Sequence, residues 1–112
     1  MTFEYPTRKV FILGAILVML HGLRREAISE FRIRASYEKR KDSDWREDPI
    51  VRDLDACETS VRRDGLVRTA NQEVLDALAH TQQTLGVSHE EWESIVKVEK
   101  LPTFESLKPK VN

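Results

Sequence analysis

The sequence predicts an all-α protein, in which one hydrophobic N-terminal helix continues into a basic stalk and then into a small bundle or hairpin of two to three short helices. Apolar residues recur at helical spacing along most of the chain. The later segments each begin with a helix-capping pattern, and no stretch alternates polar and apolar residues for long enough to indicate a sheet. The length of 112 residues suits one domain.

The first helix is predicted from an unbroken hydrophobic run. Residues 10–20, VFILGAILVML, are all apolar or glycine. Helical spacing then continues from Ala27 to Ala35, and no proline or glycine interrupts residues 23–41. A helix over residues 7–41 would be a rod of about 50 Å.

The second helix has a clear start and a clear stop. Asp48 followed by Pro49 is typical of a helix N-cap and first helical position, and Gly65 is typical of a C-cap. Between them, apolar residues recur at spacings of four, three and four, which indicates one apolar face. The residues of this stripe are Ile50, Leu54, Cys57 and Val61.

Two more helices are predicted after Gly65. A T-x-x-Q capping box begins at Thr69, so the third helix is expected to start there and to end at Gly86. Ser88 opens an S-x-x-E box and is the expected cap of the fourth helix. Pro102 ends that helix and leaves an extended tail.

The hydrophobic run predicts a single-pass transmembrane helix. A helix that is apolar all round must be surrounded on every side, and the later helices are short and polar enough to cover only one face. The predicted anchor comprises Val10, Phe11, Ile12, Leu13, Ile16, Leu17, Val18 and Leu20. The alternative is a core helix of a soluble domain, because the residues between Lys9 and Arg24 would span about 21 Å of a bilayer core of about 30 Å.

Charge is unevenly distributed along a nearly neutral chain. The 18 basic and 19 acidic side chains argue against general electrostatic binding of nucleic acid. Residues 24–41 nevertheless hold seven basic and three acidic side chains directly after the hydrophobic run. This predicts contact with anionic lipid head groups, and a C-terminus on the cytoplasmic or matrix side of a bacterial or mitochondrial inner membrane. The predicted head-group contacts are Lys9, Arg24, Arg25, Arg32 and Arg34.

Catalytic and metal-binding patterns are absent from the sequence. The histidines, His21, His80 and His89, show no ligand spacing with one another or with the lone Cys57. No nucleophile elbow, phosphate-binding glycine loop or H-E-x-x-H motif occurs. We therefore expect a protein that is not an enzyme and holds neither a metal nor a cofactor.

Residues 85–107, LGVSHEEWESIVKVEKLPTFESL, resemble the recognition-helix end of repressor-type helix-turn-helix domains. The shared features are the L-G-V-S turn, the helix after Ser88 and the later L-P. The resemblance implies a helix that enters the major groove of DNA. In this chain that helix begins HEEWE, with three carboxylates that would repel phosphate.

These patterns predict three segments: residues 1–23 as N-terminal lead and membrane anchor, 24–48 as basic juxtamembrane helix and connector, and 49–112 as an acidic helical interaction region with its tail. The expected function is that of a non-enzymatic, membrane-anchored accessory, assembly or structural subunit of a membrane protein complex, without nucleic acid. Its expected partner contacts are Ile50, Leu54, Cys57, Val61 and Trp92. The alternatives are a soluble all-α regulator, either DNA-binding or antitoxin-like, with residues 10–20 in its core or dimer interface, and an adaptor at a lipid surface.

Overall fold

The structure is a computed structural model that describes residues 4–99, with side chains from residue 8 onward. The helices are α1 (Glu4–Glu38), α2 (Pro49–Asp64), α3 (Gln72–Leu85) and α4 (His89–Glu93), and a 3-10 turn covers Asp42–Glu47. Two short strands, β1 (Val67–Thr69) and β2 (Val96–Val98), complete the described chain. The predicted, mainly helical fold is confirmed. Pro102 and the predicted tail lie outside the described residues.

Helix α1 is one continuous rod, as the absence of helix breakers predicts. Its 35 residues extend for about 52 Å at the usual rise per residue. The helix ends at Glu38 because Lys39 takes a left-handed conformation, with φ of 57°. The amide of Arg40 then donates to the carbonyl of Ala35 at 2.8 Å and closes the last turn. The hydrophobic run and residues 24–38 of the basic segment therefore belong to the same helix.

One face of α1 forms part of the core of the protein. Ile12, Ile16 and Leu20 follow one another at spacings of four, are fully buried, and share one hydrophobic cluster with residues of α2 and α3. We call these three residues the inner face of α1. The later helices thus cover this side of the hydrophobic run.

The bilayer span predicted for α1 finds no support in these helices. Within residues 4–99, every helix is too short or too polar to cross a membrane.

Helix α2 starts and stops where its caps predict. The Asp48 carboxylate accepts hydrogen bonds from the amides of Ile50 and Val51 at 2.9 and 3.3 Å. Pro49 occupies the first turn, and Gly65 ends the helix with a φ of 66°, a conformation that glycine adopts without strain. The buried residues of α2 include Val51, whereas Ile50 of the predicted stripe is only partly buried.

Helices α3 and α4 differ in detail from their predicted boundaries. Asn71 caps α3 by accepting from the amide of Glu73 at 2.9 Å. Thr69, the predicted cap, lies in β1. Ser88 does cap α4, accepting from the amide of Glu91 at 3.3 Å. Helix α4 then ends at Glu93, well before the predicted stop, because the chain turns into β2.

The strands form a small parallel sheet that the sequence did not predict. Val67 pairs with Val96, and the register continues to the pair of Thr69 with Val98. The amide of Val67 donates to the carbonyl of Ile95 at 2.8 Å. Parallel strands need a long crossover connection, and α3 with α4 supplies it. This sheet fixes the C-terminal end of the described chain against the loop that follows α2.

Candidate docking surface on the first helix

The predicted anchor residues lie on opposite sides of α1. Ile12, Ile16 and Leu20 are buried, and Leu13 and Leu17 are partly buried against the core cluster. Val10, Phe11 and Val18 face outward, with 65, 67 and 74% of their surfaces exposed. The hydrophobic run is therefore divided between a packed side and an open side.

We define the outer stripe as Phe11, Gly14, Val18 and Gly22, with Val10 at its edge. Steps of three and four residues place these positions on one side of a helix, opposite the inner face. A Cβ atom built on Gly14 or Gly22 would meet nothing within 4 Å. No other part of the described chain covers this surface.

The outer stripe has the size of a functional apolar patch. The exposed fractions of Val10, Phe11 and Val18 correspond to an area on the order of 300 Å², comparable to the largest apolar patch of an ordinary monomer. Such patches often mark binding sites. Phe11 and Val18 lie two turns apart on the same side of α1, and Val10 lies at the edge of that side.

An ion pair fixes the start of α1 to α4. The Arg8 guanidinium donates from Nε and Nη2 to the two carboxylate oxygens of Glu91, at 2.6 and 2.9 Å. This two-point geometry is the favourable one for arginine and carboxylate. The hydrogen bonds to Arg8 lower the pKa of the Glu91 carboxyl below its ordinary value. This exposed ion pair links the N-terminal end of the outer stripe to α4.

The other end of the outer stripe is flanked by two arginines with different roles. Arg24 donates to Asp55 of α2 at 2.6 Å, and its guanidinium lies 5.3 Å from the centre of the Trp45 ring. Arg25 is exposed and forms no ion pair or ring contact with any residue that the structure describes. Arg24 thus stabilises the fold, whereas Arg25 remains available on the outer side.

The remaining predicted head-group contacts are close to other groups of the chain. Arg32 lies 3.2 Å from Asp42, and Arg34 lies 3.4 Å from Asp48. The side chain of Lys9 lies beside Gly65 at the end of α2. Exposed ion pairs contribute little to stability, but they neutralise much of the positive charge that the sequence shows after the hydrophobic run.

The predicted partner contacts are located inside the protein. Leu54, Cys57, Val61 and Trp92 are buried, and Ile50 is partly buried, all within the cluster that contains the inner face of α1. This corrects the expectation of an exposed stripe on α2, because α1 covers that stripe. Burial also raises the pKa of the Cys57 thiol to about 11, so Cys57 is a small apolar core residue.

A second surface feature is an acidic cleft between α1 and α3. It has a volume of about 260 Å³ and combines the apolar residues Leu23, Ala27 and Ile50 with four carboxylates. Those carboxylates belong to Glu26, Glu30, Glu73 and Asp76. Among the described residues, no group of three or more histidine, cysteine or acidic side chains has a geometry that could hold a metal ion.

The segment that resembles a helix-turn-helix does not present a recognition helix. Helix α4 has only five residues, and Trp92 on it is buried. Glu90, Glu91 and Glu93 are the acidic residues of this short helix, and Glu91 is bound to Arg8. Helix α4 therefore presents no basic face to the major groove.

The comparisons with known proteins add no further constraint. A scan of protein-family models, a search of curated protein sequences and a search of solved structures each gave no match. Functional conclusions for this chain therefore depend on its own geometry.

The sequence holds one signal for the outer stripe. Gly14 and Gly22 interrupt the hydrophobic run on the side opposite Ile12, Ile16 and Leu20. Glycine is unfavourable inside a helix compared with alanine, and a Cβ at either position would meet nothing within 4 Å.

Proposed function

We propose that this chain is a non-enzymatic accessory protein that works by docking through the outer stripe of α1. The observation that supports this proposal is a set of exposed apolar side chains directly opposite a fully packed helix face. A folded monomer gains nothing from placing Phe11 and Val18 in water, and contiguous apolar surface of this kind is typical of interaction sites.

The outer stripe is also a rigid surface, which favours binding. Helix α1 is held by its inner face in the core, by Arg8 on Glu91, and by Arg24 on Asp55. A binding surface that is already ordered loses little conformational entropy when its partner docks. We therefore expect a partner to bind the folded chain without rearranging α1.

The partner we propose is a protein. A bilayer is the alternative occupant of the same stripe, since the basic residues that follow the hydrophobic run would suit anionic lipid. Whether the partner is a protein or a bilayer, the inner face stays buried in the core. The membrane location and the orientation of the C-terminus stay predictions of the sequence.

Site-specific photo-crosslinking in cells that express the full chain tests this proposal. A benzophenone amino acid replaces Val18, and the control carries it at Ser36, an exposed position on the same side of α1 but outside the outer stripe. We expect a discrete protein adduct from position 18 only. Adducts with lipid alone would show that the outer stripe binds a bilayer and not a protein. Equal labelling from both positions would overturn the proposed docking surface.

A further inference from the structure

The glycines of the outer stripe lie at equal distances on either side of Val18, and the two ends of this stretch of α1 carry different residues. Val18 lies at its centre, Gly14 and Gly22 lie four positions to either side, and Phe11 and Arg25 lie seven positions to either side. Because α1 is regular throughout this region, equal offsets from Val18 are equal distances along the helix. Equal glycine spacing, with Phe11 at one end and Arg25 at the other, suits a partner helix that has the same sequence and runs in the opposite direction.

We propose that the occupant of the outer stripe is a second copy of this chain, in an antiparallel pair of α1 helices whose two-fold axis passes through Val18. Each Gly14 then faces Gly22 of the second copy, and each Phe11 faces Arg25 of the second copy. A two-fold interface of this kind uses the same surface on both subunits. The inference rests on the proposed function, and it names the partner.

The two glycines support close approach of a second helix. Glycine is unfavourable inside a helix compared with alanine, and nothing in the described chain requires it at Gly14 or Gly22, where a Cβ would meet open space. Glycine is expected where another backbone approaches closely. Placed on both sides of Val18, the glycines allow two helices to come together at the axis.

Arg25 and Phe11 supply complementary electrostatics at both ends of the contact. Arg25 has no ion pair among the described residues, and Phe11 has 67% of its surface exposed. A guanidinium over an aromatic face is attracted by the ring quadrupole, and the chain already uses this contact between Arg40 and Phe31, at 5.1 Å. In the antiparallel arrangement the contact forms twice, whereas a parallel arrangement would place Arg25 against Arg25.

The shape and the size of the surface fit a weak, reversible dimer. The packed elements α2 and α3 lie on the inner side of α1, so two copies can approach along their outer stripes without collision. The apolar area of each copy, on the order of 300 Å², is well below the roughly 800 Å² per partner of a standard stable interface. We therefore expect dimerisation in the micromolar range or weaker.

Sedimentation equilibrium of the full chain, over a wide concentration range, tests the self-association. We expect the average mass to rise from the monomer toward the dimer. Val18→Glu should weaken the association at least about tenfold, because two carboxylates would meet at the axis. The matched control, Ile33→Glu, changes another exposed apolar residue of α1 and should associate like the wild type. Circular dichroism of both variants checks that they remain folded.

Gly14→Ala gives an independent readout. Alanine favours the helix, so this variant should melt at a higher temperature as a dilute monomer while it dimerises less than the wild type. A glycine without a role in an interface would raise the melting temperature and leave the association unchanged, which would count against the proposal.

Cysteine crosslinking determines the direction of the helices. In a Cys57→Ala background, Val18→Cys should form a symmetric disulfide dimer under mild oxidation. Phe11→Cys alone should not, but a mixture of Phe11→Cys and Arg25→Cys chains should. Efficient linking of Phe11→Cys to itself would indicate a parallel pair and overturn the antiparallel model.

The failure of this inference is distinguishable from the failure of the proposed function. A wild-type chain that stays monomeric at all concentrations, yet is crosslinked from position 18 to a different protein, overturns the dimer and leaves the docking surface in place. A dimer that is insensitive to Val18→Glu overturns the assignment of the outer stripe as its interface.

Discussion

At the scale of single residues, burial decides the chemistry of the only cysteine. Cys57 belongs to the apolar stripe that the sequence predicts on α2, and the structure places it in the core beneath α1. Removal from water disfavours the thiolate, which is why the pKa of the thiol rises to about 11. The thiolate is the reactive form of cysteine, so the folded protein should protect this residue.

We therefore predict that Cys57 does not react with an aromatic disulfide reagent at pH 8 in the folded chain. In urea it should react completely, because unfolding exposes the thiol and returns its pKa to the ordinary value. The measurement is the absorbance of the released thiolate with time. Ser36→Cys in a Cys57→Ala background provides the exposed control, and a native Cys57 that reacts as fast as this control would contradict its burial.

The contact between Arg8 and Glu91 makes a small part of the stability depend on pH. The pKa of Glu91 is lowered in the folded chain, chiefly by its hydrogen bonds to Arg8. A lowered carboxyl pKa contributes stability above the unfolded-state pKa, and this contribution is lost as the pH falls through the folded-state pKa. Arg8→Ala should therefore raise the pKa of Glu91, measured by carboxyl NMR titration. Arg62→Ala removes a distant arginine and should leave that titration unchanged.

At the scale of elements, α1 shows that a hydrophobic run predicts a helix but not which of its sides is packed. The ends of α1 and α2 were predicted nearly correctly, because the signals for them are local. For α1 the signal was the lack of proline and glycine over residues 23–41, and for α2 it was the capping residues at both ends. It could not reveal that α2 would cover Ile12 and Ile16, since composition does not say which side of a helix is packed. The apolar stripe on α2 was also found from its spacing, but the element that buries it lies elsewhere in the sequence.

The two sides of α1 should respond differently to truncation. Ile16→Ala removes fully buried volume and should destabilise the fold by about 2–5 kcal/mol. Val18→Ala changes an exposed position, and we expect its effect to stay within about 0.5 kcal/mol. Urea denaturation at low protein concentration measures both. Equal losses from the two variants would show that the inner and outer sides of α1 are not distinct.

The short strands and the early end of α4 were missed for a related reason. Each strand has three residues, too few for an alternating pattern to be visible. Ile95 and Val96 also continue the helical spacing after Trp92, so the local signal favoured a longer helix. The pairing of Val67 with Val96 is a long-range choice that no local pattern contains. The acidic cleft could not be predicted from local patterns either, because α1 and α3 each supply part of it.

At the scale of the whole molecule, the three predicted segments share one core. Residues from α1, α2, β1, α3 and α4 form a single hydrophobic cluster. The sequence predicted an interaction region after residue 48, and within this chain α1 covers the apolar stripe of that region. Without α1, Leu54, Val61 and Leu78 would lose much of their cover, and too little apolar burial would remain to offset the entropy of ordering.

We predict that residues 48–112 alone do not fold cooperatively. Their thermal melt, followed by circular dichroism, should be broad, whereas the full chain should melt in one sharp transition. Addition of a peptide with residues 8–41 should restore ordered signal, and the same peptide with Ile12 and Ile16 changed to serine should not. A sharp transition of residues 48–112 on their own would contradict the shared core.

The parallel sheet has a consequence for the order of folding. Val67 and Val96 are far apart in the sequence, and the connection between them contains α3 and α4, so we expect the strands to pair late because closing this long connection costs entropy. Three residues per strand provide few hydrogen bonds, Val98 lies largely in water, and Val96 is the residue of β2 that packs against the core. We expect this end of the chain to open and close as a local unit while α1 and α2 stay packed. Its backbone amides would then exchange with solvent deuterium much sooner than those at the centre of α1.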